Sequence, residues 1–190
     1  MSDMAISYER RPISVEDYHR MADAGIFAPD ERVELLDGEL IAVPPMGSPH
    51  GGAIGAITRL LTQRLNDRAA IRVQLPVIVD PRSEPEPDFA IVPLDAREWR
   101  DRHPVAADVL FLIEVADSSR EFDLRKKAPV YARAGIAEVW VVDVVDRRLI
   151  VHREPTRDGH ALTHILPQNS RIAPLAFPHE EFEVVAFTGP

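Results

Sequence analysis

Val109-Leu-Phe-Leu-Ile-Glu-Val115 is an almost uninterrupted apolar run with a single carboxylate near its end. The run has the length of a strand rather than of a helix, and continuous apolar sequence suits a strand covered on both faces. A sheet with helices on both sides supplies such cover, so this stretch points to an α/β fold with a central sheet. Its charge is equally informative. A carboxylate is costly to bury unless it is paired or binds a cation, which makes Glu114 the first candidate for chemistry.

Upstream, Asp88-Phe-Ala-Ile-Val92 reads as a neighbouring strand that also carries a carboxylate, at its start and directly after Pro87. Ile71–Val79 reads as a further strand, and Pro81–Pro87 as a rigid acidic connection. Ser48-Pro49 opens a helix, with Ile54, Ile57, Leu61 and Leu65 at helical spacing on one face. Before it, Asp37-Gly38 between two apolar runs predicts a hairpin carrying Glu34. Ser14-Val-Glu-Asp17 is a capping-box pattern that starts a first helix ending near Gly25.

Downstream, Asp123–Ala134 reads as a helix closed by Gly135, with Pro129 requiring either a late start near Lys126 or a bend. Glu138–Val144 and Arg148–His152 form a second hairpin around Asp146-Arg147, and Ala161–Ile165 and Phe182–Ala186 read as strands of the tail. No internal repeat and no low-complexity segment interrupts this order. A single domain over residues 1–190 is expected, and 190 residues can enclose a sizeable core.

Composition removes several classes of function. With no cysteine, disulfides, thiolate nucleophiles and cysteine zinc sites are excluded. The histidines outside the second helix show no zinc-type spacing. The segment from Gly47 to Gly55 lacks the lysine-serine ending of a phosphate loop, and Ser118-Ser119 lacks a nucleophile elbow. Paired carboxylates could serve a glycosidase, but nothing else in the sequence suggests a sugar cleft. No apolar run approaches the roughly 20 residues of a membrane span, so a soluble, cytoplasmic protein without membrane contact is expected. The net charge of −9 opposes strong non-specific binding to a polyanion, though a basic patch can be local.

Two carboxylates on adjacent strands can share a divalent cation, and Mg²⁺ accepts one or two carboxylates completed by waters and phosphate. Pro87-Asp88, then Glu114 after 26 positions (114 − 88), then a lysine, resembles the PD-(D/E)XK nuclease signature. The wider pattern resembles the Uma-two family of restriction endonucleases. It comprises Glu34-Leu-Leu-Asp-Gly-Glu-Leu40, His50, Pro87-Asp88, Ile113-Glu-Val-Ala-Asp-Ser-Ser119, Asp123…Lys127…Tyr131 and Gly135–Asp143, spanning about residues 30 to 152.

The resemblance implies a restriction-endonuclease-like core, a central mixed sheet flanked by helices, and Mg²⁺-dependent hydrolysis of DNA with Mn²⁺ as a substitute. It implies metal binding by Asp88, Glu114 and the Val115 carbonyl, with Lys127, His50 and Glu34 completing the site. One departure stands out. The superfamily lysine follows the glutamate by two positions, where this chain has Ala116. Lys127 is the substitute on the next helix; Lys126 points about 100° away. A homodimer would suit cleavage of both strands of a duplex. The rival expectation is a non-catalytic interaction or regulatory module on the same fold, favoured by the negative charge and by Ala116. For Tyr131 and Trp140 the expectation is a core position.

Overall fold

The computed structural model describes residues 10–65, 67–117 and 122–189, and only the backbone of Asp123. The Ser118-Ser119 end of one motif and the Asp123 side chain of another therefore lie outside the described residues.

Six strands form the central sheet in the order β3-β4-β5-β6-β7-β8. They are β3 (Ala70–Val73), β4 (Phe89–Val92), β5 (Phe111–Ala116), β6 (Glu138–Asp143), β7 (Arg148–Thr156) and β8 (Gly159–Pro167). β5 and β6 run parallel, and the other neighbouring pairs run antiparallel, so the sheet is mixed. Every residue of β4, β5 and β6 is buried, as the apolar runs require.

The two faces have different covers. On one, Phe89, Ile91, Phe111, Ile113 and Val115 pack against Ile54, Ile57, Leu61 and Leu65 of α2 (Ser48–Leu65). That helix buries the four residues whose spacing defined its apolar face. On the other, Ala90, Val92, Leu112 and Val139 pack against Val130, Tyr131 and Ile136, in and just after α3 (Ala128–Arg133). Strand alternation then assigns Asp88 and Glu114 to this second face, in line with Ala90 and Leu112.

The hairpin of β1 (Val33–Leu36) and β2 (Glu39–Ala42) forms where Asp37-Gly38 predicts it, with both turn residues at positive φ (51° and 79°). Gly38 has a second reason to be glycine, since a Cβ there would lie 2.5 Å from the Cβ of Pro12. The first helix, α1 (Val15–Asp23), is capped by Ser14, whose Oγ accepts the Asp17 N–H at 3.0 Å.

Three local expectations change. The strand read over Ile71–Val79 stops at Val73: Gln74 has φ 50° and Pro76 lacks the donor a strand would use. The remainder folds back, and Val77 and Val79 join the second core. The helix read from Asp123 begins as a π-helical turn, Asp123–Lys127, and becomes regular at Ala128. Pro129 has no N–H to donate to the fourth residue before it, and its ring crowds that carbonyl, so the turn ahead of it is widened. In the tail Ala161–Ile165 lies within β8 as read, but the strand read over Phe182–Ala186 shortens to β10 (Phe182–Glu183), which pairs with β9 (Arg171–Ile172), and α4 (Val185–Thr188) follows. Trp140, Phe182 and Phe187 meet edge to face there, so aromatic packing sets that local structure.

Candidate active site

The antiparallel register of β4 and β5 pairs Phe89 with Ile113. One step further along, Asp88 faces Glu114, and directly opposed residues project from the same face. The backbone and side chains lock this arrangement. The Val115 N–H donates to Asp88 Oδ2 at 2.8 Å, and the Asp88 N–H donates to Glu114 Oε2 at 3.3 Å. Each carboxylate is thus held by the main chain of the strand that carries the other.

Further donors close around the pair. His50, in the first turn of α2, places Nε2 3.0 Å from Asp88 Oδ1, and the Gln74 amide donates to the same oxygen at 3.1 Å. Tyr131 donates its hydroxyl to Glu114 Oε1 at 2.6 Å. Lys127 Nζ lies 3.4 Å from Glu114 Oε1 and 3.1 Å from Glu34 Oε2. Asp88, Glu114, Glu34 and Lys127 are all buried, whereas Lys126 is exposed. The widened turn ending at Lys127 feeds into α3, which packs on the carboxylate face and carries Tyr131 one helical turn further.

The electrostatics favour an ionised Asp88. Burial pushes its carboxyl pKa up, but the hydrogen bond and charge of His50, the Val115 N–H and the Gln74 amide outweigh that and hold it below the ordinary value. A cleft of about 320 Å³ opens over these groups, and Glu34, His50, Gln74, Asp88, Glu114 and Lys127 all line it. Glu86 and Arg32, which form an ion pair at 3.1 Å, stand at its wall.

Glu34, His50, Asp88, Glu114 and Lys127 are therefore neighbours around one cleft. Sequence reasoning missed two members. Gln74 sits inside an apparent strand, although the following Leu75-Pro76 marks its end. Tyr131 is the core residue its pattern implies, fully buried, but its hydroxyl also serves Glu114. Asp117 and Phe122 complete part of the lining.

The donor set fits a small hard cation. Two carboxylates from adjacent strands present oxygen ligands, the ligand type Mg²⁺ and Mn²⁺ take, and such ions complete their shell with water and phosphate. Among the described residues no group of three or more His, Asp or Glu forms a ready-made metal cage. The arrangement is of the two-carboxylate kind.

The family model described as "Putative restriction endonuclease", Uma2, matches residues 15–185. The chain belongs to this family. A solved structure described as a "putative nuclease belonging to DUF820", from Anabaena variabilis, superposes with a TM-score of 0.75 at 14% identity, covering 93% of this chain and 98% of that one. At that identity the likeness concerns the fold, which is nuclease-like. No curated protein matches the chain. Among the described residues no helix is long and apolar enough to cross a membrane.

Proposed function

We propose that this Uma2-family protein is a divalent-metal-dependent endonuclease that hydrolyses DNA phosphodiesters. The observation that carries the reading is the facing pair of Asp88, just ahead of β4, and Glu114 of β5, with the Lys127 ammonium 3.4 Å from Glu114 at the floor of an open cleft.

Asp88 and Glu114 would hold Mg²⁺ or Mn²⁺, with the Val115 carbonyl as a further ligand. The chemistry gained on binding is polarisation of the phosphodiester and a lowered pKa of the attacking water. Lys127 supplies fixed positive charge where negative charge develops on phosphate oxygen. Glu34 orients that ammonium through its own ion pair, and Tyr131 fixes the Glu114 carboxylate from behind. His50 and Gln74 hold Asp88 in the ionised form that a cation requires. The cleft admits the polar backbone of a nucleic acid, and a homodimer would bring two such clefts to one duplex.

The test is cleavage of plasmid and linear duplex DNA in Mg²⁺ and in Mn²⁺, with Glu114→Gln as the control that keeps shape and removes charge. Loss of cleavage in Glu114→Gln and Asp88→Ala is expected. Cleavage undiminished in Glu114→Gln would place the activity elsewhere. The rival, a non-catalytic interaction or regulatory module, draws on the net charge of −9 and on Ala116 at the usual lysine position. It takes over if folded protein neither cleaves nor binds either ion.

A further inference from the structure

Arg72 lies in the middle of β3, opposite Ala90 of β4. Its neighbours Ile71 and Val73 pack into the α2 side of the sheet, and Ala70 into the other. Alternation therefore turns Arg72 to the face that carries Asp88 and Glu114. Pairing continues past the strand end, since the Gln74 N–H donates to the Asp88 carbonyl at 3.1 Å. Arg72 is thus two residues from Gln74, a step of about 7 Å along the edge strand from a side chain that touches Asp88.

The state of this arginine is unusual for its setting. The residue is half-buried, and its Nε is sealed from solvent with no hydrogen-bond partner. Carboxylates are abundant, 31 against 22 basic side chains. Other arginines of the chain use them: Arg133 pairs with Asp37, Arg148 with Asp143 and Arg153 with Glu138. Arg72 pairs with none of the described residues. An arginine half-removed from water without an anion is disfavoured, and burial lowers its pKa accordingly. Guanidinium nitrogens are well matched to phosphate oxygens, and an arginine makes that contact without the proton loss a buried lysine would risk.

We propose that Arg72 is a phosphate-contact residue, gripping the nucleic-acid backbone on the β3 side of the Asp88–Glu114 cleft. This inference rests on the nuclease reading and adds to it where one strand of the substrate runs. Arg72 positions the substrate and takes no part in the reacting atoms.

The experiment measures binding of a short fluorescent duplex DNA, with Ca²⁺ as the supporting cation, across a range of salt concentrations. Wild type is compared with Arg72→Met, which keeps the apolar stem, and Arg72→Lys, which keeps the charge. Each phosphate contact contributes about −0.9 to the slope of log affinity against log salt. Arg72→Met is expected to bind about tenfold more weakly at low salt and to lose about one unit of that slope. Arg72→Lys should retain most of the slope, and urea unfolding should show Arg72→Met no less stable than wild type. Wild-type binding with an unchanged slope in Arg72→Met would overturn the Arg72 assignment and leave the nuclease reading intact. The assignment is equally overturned if Arg72→Met weakens binding only in proportion to lost stability while Arg72→Lys keeps no more of the slope. If wild type binds no DNA at all, both fall together.

Discussion

Tyr131 donates its hydroxyl to Glu114 over 2.6 Å, with both side chains buried between β5 and α3. A buried carboxylate that loses a donor keeps its desolvation cost. Tyr131→Phe, which removes only the oxygen, is therefore expected to lower stability by about 1–3 kcal/mol. It should also reduce cleavage, because Glu114 loses its rear support. Urea unfolding and turnover under Mg²⁺ check the two effects separately; an unchanged unfolding midpoint would mean the hydroxyl contributes nothing net.

Lys127 stands between Glu34 and Glu114, and all three are buried. Lys127→Met removes the ammonium that pairs with both acids, so a loss of about 3–5 kcal/mol is expected. Lys126→Met, at an exposed position of the same turn, should stay within about 0.5 kcal/mol of wild type. Equal effects in the two variants would contradict the assignment of Lys127 to the site.

Cation binding should be visible as stability before it is visible as activity. A ligand that binds only the folded state stabilises it, by about 2.7 kcal/mol at a concentration of 100 Kd. Thermal unfolding in rising Mg²⁺ or Mn²⁺ should shift upward in wild type and stay flat in Asp88→Asn. A shift of equal size in both would put the ion elsewhere.

His152 provides an acid limit distant from the site. Burial, with a smaller contribution from the charge of His160, depresses its pKa from 6.5 to about 4. Between those values the unfolded chain takes up the proton and the folded chain resists it. Stability should therefore fall as pH drops from 6.5 towards about 4, by on the order of 1–2 kcal/mol for a group this partly exposed. His152→Leu should flatten that part of the pH profile, measured by urea unfolding at each pH. A wild-type profile level across the window would rule the titration out.

Gly38→Ala tests the hairpin. It meets both a backbone at φ 79° and the Pro12 side chain, and should lose more than about 1 kcal/mol. Gly135→Ala meets the same kind of backbone (φ 81°) but no neighbouring atom, so its loss in calorimetry should be smaller.

Much of this architecture is written locally. Asp37-Gly38 declares its hairpin because few dipeptides accept two consecutive positive φ angles, and α2 declares itself by four apolar residues at helical spacing. Glu114 stands out because a charge inside a buried strand needs a reason. Other features depend on distant contacts. Nothing near Gln74 tells that it meets Asp88, since that meeting is set by the register of β3 on β4. Lys127 follows a widened turn whose cause, Pro129, is legible, but whose consequence for the side chain depends on where α3 packs. The short final helix follows Phe182 into an aromatic cluster that no periodicity announces.

The parallel pairing of β5 with β6 has a consequence for the order of assembly. Glu34, Asp88 and Glu114 all precede the crossover, and Lys127 and Tyr131 sit within it. A chain synthesised only as far as β5 holds the acids with no ammonium to oppose them, and mutual repulsion works against their burial. The lysine is delivered when the crossover docks and β6 pairs, a long-range closure that is slow by nature. The proposed cleavage should thus return on refolding with the slowest phase, once the lysine has docked beside the acids.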